Sequence, residues 1–240
     1  MASTRAPSAS NTCELWRAWD VSVCEMKRIA LAAGVLAICV AVPATAQKPP
    51  KPPGKLSISA APNPVKFGRS VTISGKLTGP SNAGNTITLR EDPFPLDVLT
   101  DAGTAAADAQ GDYSFTRLPA VNTRYQATQG GVESKIVTVL VSPRISLGLS
   151  DRTPAAGSRV RFFGKVCPEH DNATLLIQRR IAPKQWRTIR GTTLADAPGT
   201  SCSTYSRQVR VRRDSVWRTF LGGHPDHAAG NSRARRTDVH

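Results

Sequence analysis

Eight positions of this chain recur after a fixed interval of 89 residues. Leu56, Ile58, Gly68, Val71, Ile73, Gly75, Lys76 and Leu77 return as Ile145, Leu147, Gly157, Val160, Phe162, Gly164, Lys165 and Val166. Solenoid units run to roughly 20–50 residues, so this period is too long for one. It suits a β-sandwich domain of about 100 residues. The chain therefore carries two copies of one small domain. Glycines and strand-forming apolar residues dominate the shared positions, so what the copies have in common is structural.

The local pattern agrees. Leu56-Ser-Ile58-Ser-Ala60 and Val71-Thr-Ile73-Ser-Gly75-Lys-Leu77 alternate apolar and polar residues with a period of two, as half-buried strands do. Thr86 to Leu89, Tyr113 to Phe115, Tyr125 to Ala127 and Ile136 to Val141 continue the period, while Pro93, Pro95, Gly103, Gly111, Gly130 and Gly131 punctuate the gaps. No segment offers an apolar stripe at helical spacing. About seven short strands per copy is the number of an immunoglobulin-like sandwich. The second copy repeats the pattern with drifting offsets: Tyr205 stands for Tyr113, Trp217 for Tyr125 and Ser232 for Ser134. The largest insertion lies near Gly222-Gly-His-Pro-Asp-His227, a lengthened loop of the kind that carries specificity.

The amino end reads as a targeting segment. Met26-Lys27-Arg28 precedes an apolar run from Ile29 to Val42 and then Ala44-Thr45-Ala46 before Gln47. A cationic start, an apolar stretch shorter than the roughly 20 residues of a membrane span and small residues at the cleavage positions define a secretory signal peptide. Residues 1–25 carry Glu14, Asp20 and Glu25 and read as an over-long start. A lipoprotein reading of Cys39 is disfavoured by bulky Ile38 before it. The fold expected is all-β: two tandem immunoglobulin-like antiparallel sandwiches preceded by a signal peptide. Residues 1–25 are excluded, 26–46 are the signal, 47–54 a proline-rich linker, 55–141 the first repeat and 142–240 the second. No later stretch is apolar enough to anchor the chain in a membrane.

Of five cysteines, only Cys167 and Cys202 follow the signal. An even pair in an exported chain reads as a disulfide, and two cysteines alone fall short of a tetrahedral zinc set. Charge separates the copies. From Lys55 to Val141 eight Lys and Arg face seven Asp and Glu, a balance of +1; from Ser142 to His240 the counts are 18 and 7, a balance of +11. On alternating strands Arg210 and Arg212 project opposite to Val209 and Val211; Arg159, Arg161 and Lys165 do so on the early strand, and Arg233, Arg235 and Arg236 on the last. If those strands are neighbours they form a positive face suited to an acidic cell-wall polymer or polysaccharide. Nucleic acid is not the expected partner, because stacking needs interleaved aromatics and Tyr205 and Trp217 fall on buried positions.

These segments resemble the tandem immunoglobulin-like repeats of secreted actinobacterial proteins. The resemblance rests on Gly157-Ser-Arg-Val160-x-Phe162-x-Gly164-Lys-Val166, Leu175-Leu-Ile177-Gln-Arg-Arg180, Trp186-Arg-Thr, Tyr205-Ser-Arg, Trp217-Arg218 and Asp226-His227-Ala-Ala-Gly230-x-Ser232. It covers roughly residues 55 to 240, and the first copy lacks the Trp, the cysteines and the His227 segment. The resemblance implies an extracellular or surface module without catalytic activity. No Gly-x-Ser-x-Gly, His-Glu-x-x-His or phosphate-cradling glycine loop occurs, and no histidine lies between Gln47 and Val141. Two triplets, His224 with Asp226 and His227, and separately Glu169, His170 and Asp171, contain metal-ligand types but sit on polar loops, so neither a metal site nor a cofactor is assigned. Two rivals stay open: a purely structural spacer of a surface array, and a hydrolase or metal enzyme built around His170, His224 or His227.

Overall fold

The computed structural model describes residues 54–79 and 82–240; the segments expected to be an over-long start, a signal peptide and most of a proline-rich linker lie outside the described residues. Every regular element among the described residues is a strand. In the first repeat Val71–Thr78 pairs antiparallel with Lys55–Leu56, Ser59–Ala61 and Asp112–Arg117. The facing sheet runs in the order Val137–Val139, Thr123–Gln129, Thr86–Pro93, Thr100–Ala106. The second repeat has the same plan: Arg159–Cys167 carries Arg144–Ile145, Gly148–Leu149 and Ser203–Arg210, opposite a sheet of Gln185–Thr193, Thr174–Ala182 and Ser215–Leu221. Two immunoglobulin-like sandwiches result, formed by strands whose inward residues alternate with outward ones.

Alternation decides what lies between the sheets. Val71, Ile73, Ile87, Leu89, Tyr125, Ala127 and Val139 fill the first core. Val160, Phe162, Ile177, Val209 and Trp217 fill one end of the second, with Phe162 and Trp217 edge to face at 5.0 Å. Val166, Leu175, Tyr205 and Leu221 fill its other end.

Polar contacts are duplicated as faithfully as the core. Tyr113 Oη donates to the Ser57 carbonyl, and Tyr205 Oη donates to the Ser146 carbonyl at 2.6 Å. Lys76 N donates to Ser57 Oγ at 2.9 Å, and Lys165 N to Ser146 Oγ at 2.8 Å. Ser134 Oγ accepts from Ala127 N at 2.9 Å as Ser232 Oγ accepts from Thr219 N at 3.0 Å. The tyrosine hydroxyl and the serine carbonyl meet over Gly75 and Gly164, where a Cβ would lie 1.9 Å and 2.3 Å from the Ser57 and Ser146 oxygens. The repeated Gly thus exists for close approach of backbone to backbone.

One expectation is corrected. Gly103 does not punctuate a gap; it lies inside the strand Thr100–Ala106 with φ +144°, beside a register shift at Leu89/Arg90. The strand is an edge strand of small and polar residues, which have no apolar alternation to display. The loop from Gly222 to His227 is anchored. It docks on the first repeat: Asn122 N donates to the Asp226 carbonyl at 2.8 Å, Asn122 Nδ2 to the Pro225 carbonyl at 3.1 Å, and Ala228 N to the Val141 carbonyl at 2.8 Å. Val141 N in turn donates to Asn122 Oδ1 at 2.9 Å. The described residues belong to one compact unit.

Candidate functional site

Cys167 and Cys202 form a disulfide, with Cα atoms 4.4 Å apart. It continues the ladder one pair beyond Val166 and Ser203, closing the ends of Arg159–Cys167 and Ser203–Arg210. The turn that follows is tied to the same place, since His170 N donates to Ser203 Oγ at 2.7 Å.

The expected cationic residues fall into three groups. Arg159, Arg161 and Lys165 alternate outward from Arg159–Cys167, and Arg210 projects beside them, directly opposite Arg159 in the ladder. These strands are neighbours, as a shared face requires. Arg212 is exposed just past the end of that ladder. Arg233, Arg235 and Arg236 lie elsewhere: Arg235–Thr237 pairs with Ser215–Leu221 in the other sheet. Arg233 and Arg235 line a separate shallow pocket with Phe163 and Gly148, and Arg235 Nε donates to the Leu147 carbonyl at 3.1 Å. Arg236 is paired with Asp238 and lies 3.7 Å from Asp214, so its charge is matched.

A groove of about 510 Å³ collects the arginines of the first group but not Lys165. Arg159, Arg161, Arg190, Arg207 and Arg210 line it with Ser206 and Gln208, and no carboxylate is among the lining residues. Arg190 and Arg207 were not singled out in the sequence, because Arg190 comes from the poorly patterned strand Gln185–Thr193 and Arg207 has the parity of the inward residues. Phe163 is exposed beside them, and the Arg161 guanidinium lies 4.8 Å from its ring centre. In the first repeat three cations are paired, Lys76 with Asp112, Arg90 with Asp101 and Glu133, and Arg124 with Asp92.

A second constellation joins the two histidine triplets that the sequence keeps apart. His170 Nε2 or Nδ1, an Asp226 carboxylate oxygen and a ring nitrogen of His227 all lie within 4.8 Å of one another. His170 and His227 rings are 5.0 Å apart and His170 and His224 rings 5.1 Å. Asp171 turns away, accepting from Ser203 Oγ at 2.5 Å. His227 is 3% exposed. Its Nε2 sits 2.9 Å from the Ala120 carbonyl, and His170 Nδ1 sits 2.9 Å from the Pro168 carbonyl. A carbonyl oxygen only accepts, so the nitrogen facing it carries a proton in each ring. The other two nitrogens, His170 Nε2 and His227 Nδ1, are buried, and no hydrogen bond of ring geometry reaches either. His227 Nδ1 is 2.8 Å from Asp226 Oδ2, an ion-pair contact when that ring is protonated. Burial pushes the His170 pKa down, helped by His227 and His224 and opposed by the Pro168 carbonyl and Asp226. Burial pushes the Asp226 carboxyl up, but the adjacent His227 ring outweighs it and holds the group below its usual value.

No family model matches the chain. No curated protein matches it. Each repeat is an immunoglobulin-like sandwich. Among solved structures, the D0-D1 domain of Intimin is similar to this chain with a TM-score of 0.29 and 9% identity, over 77% of this chain and 97% of that one. The sandwiches described above carry the fold assignment by themselves, and the resemblance to actinobacterial repeats rests on the quoted residues alone. Among the described residues no helix is long and apolar enough to cross a membrane.

Proposed function

We propose that the chain is an exported, non-catalytic immunoglobulin-like module whose second repeat adheres to an acidic envelope polymer, a phosphate-bearing wall polymer or an acidic polysaccharide. The observation that carries this is the groove of five arginines without a carboxylate. Like charges placed directly opposite across a ladder oppose folding, and the Arg159 and Arg210 pair is such a case. Lys76, Arg90 and Arg124 of the first repeat are matched by carboxylates within it, while the five groove arginines have no carboxylate among the residues around them. A polyanion laid along the groove would do so by charge, with guanidinium forks meeting phosphate or carboxylate oxygens two at a time. Phe163 beside Arg161 gives a sugar ring or other flat apolar surface a place to pack.

The test is elution of the full chain from an anionic polymer matrix by a salt gradient. Replacing Arg159, Arg161 and Arg190 by Ser should move elution to distinctly lower salt. Replacing the exposed Lys66, Arg69 and Lys135 of the first repeat by Ser changes net charge equally and should move it much less. Equal shifts from the two triple variants would leave only a solvated basic surface.

A further inference from the structure

We infer that His170, Asp226 and His227 form a binding site for a zinc-type divalent cation at the junction of the two repeats. The site is apart from the arginine groove and needs no polyanion. Its donors are two imidazole nitrogens and one carboxylate oxygen, the set that suits zinc rather than the oxygen-only sets of calcium or magnesium.

Three independent features of the geometry converge. The first is the orientation of the rings. Both rings donate to a backbone carbonyl, His170 to Pro168 and His227 to Ala120, and this is the outer-shell arrangement that orients a metal-binding histidine. The other nitrogen of each ring is shielded from solvent. Those two nitrogens and one Asp226 carboxylate oxygen converge into a donor set that a bound cation would satisfy.

The second feature is spacing. Ligand atoms of a tetrahedral zinc site stand about 3.4 Å apart, given metal–ligand distances near 2.1 Å. The three donors here lie within 4.8 Å of one another, with Asp226 Oδ2 and His227 Nδ1 at 2.8 Å, so small side-chain rotations suffice to close the set. His224 supplies a candidate for the fourth position. It is exposed, its ring is 5.1 Å from that of His170, and its backbone is held in the turn by reciprocal bonds with His227 at 2.8 and 3.2 Å.

The third is support. His170 hangs from the disulfide-stapled end of the second repeat through Ser203. Asp226 and His227 sit on the docked loop, whose backbone reaches Asn122 and whose ring reaches Ala120 in the first repeat. A cation bound here would tie that loop to the stapled end and, through it, hold the repeats together.

The experiment uses the full chain, chelator-treated and then titrated with zinc near pH 7.5 by calorimetry, with thermal denaturation in parallel. Expected are a zinc site whose occupancy raises the melting temperature, and a loss of affinity of about tenfold or more in His170→Gln and in Asp226→Asn. His224→Gln should weaken binding less. Substituting His227 is avoided because its ring also bonds Ala120. Cobalt gives a second readout on the unmodified chain: intense visible d–d bands report a tetrahedral site containing nitrogen. Zinc uptake that His170→Gln and Asp226→Asn leave unchanged would overturn the assignment. So would weak octahedral cobalt bands, or no effect of zinc on melting.

Discussion

The backbone N–H of Asn122 donates to the carbonyl of Asp226 at 2.8 Å, and the Asn122 side chain bonds Val141 on one side and Pro225 on the other. One residue of the first repeat thus satisfies three backbone groups at the boundary.

Asn122→Ala leaves the buried Val141 N–H without its acceptor, and a lost partner of that kind costs about 1–3 kcal/mol. The expected outcome is a lower denaturant midpoint with a broadened or two-step transition, as the repeats lose their coupling. Circular dichroism during urea titration reads this directly, and an unchanged single transition would mean the junction contributes nothing.

The duplicated tyrosines make a paired test. Tyr113→Phe and Tyr205→Phe each remove one hydroxyl that serves a backbone carbonyl, and each should destabilise by about 1 kcal/mol. Because the two sites belong to different sandwiches with no shared partner, the double variant should show the sum. Equilibrium unfolding of the three variants checks both statements.

Glycine substitutions should separate close approach from mere composition. At Gly164 a Cβ would collide with the Ser146 carbonyl at 2.3 Å, so Gly164→Ala should cost about 3 kcal/mol or more or prevent folding. At Gly191 the nearest atom to a new Cβ is a Thr174 methyl at 3.4 Å, an ordinary contact. Gly191→Ala should be neutral or stabilising by up to about 1 kcal/mol through the unfolded chain. Melting temperatures that fall alike for the two variants would contradict this account.

Replacing both Cys167 and Cys202 by Ala reopens a loop spanning 35 positions, and on the chain-entropy model this costs about 3–4 kcal/mol. The loss should appear in guanidinium unfolding of the oxidised chain against the variant, and reductant should change the former only.

All three tyrosines of the chain are shifted the same way. Burial pushes Tyr113, Tyr125 and Tyr205 up to about 12, with Glu91 adding to the effect on Tyr125. The folded state therefore holds these protons more tightly than the unfolded state does. Stability from these groups is complete below pH 10 and is lost as pH rises from 10 through 12. Tyrosinate absorbance should be nearly absent at pH 10.5 in the folded chain and already well developed in urea.

What the sequence displayed was whatever a period of two can display. Strands with one buried face, such as Val71–Thr78 and Arg159–Cys167, show apolar alternation, and their repetition located both sandwiches. Thr100–Ala106 and Gln185–Thr193 are largely exposed edge strands whose outward and inward residues differ little, so alternation had nothing to mark. The pairing of Cys167 with Cys202 follows from their being the two cysteines beyond the expected signal. Arg159 and Arg210 met as their parity required, but the last strand went to the opposite sheet, a matter of sandwich topology that no local pattern carries. His170 and His227 are 57 positions apart, and only the packing of the Gly222–His227 loop against the turn after Cys167 brings their rings together.

Val65–Lys66 near the start of the first repeat runs parallel to Val141–Ser142 at its end, with Val65 N bonded to Leu140 O at 2.8 Å and Phe67 N to Ser142 O at 2.9 Å. Tension applied along the chain would draw these two segments past each other rather than peel them apart, loading their hydrogen bonds together. The first sandwich is in that sense latched against being pulled open from its ends.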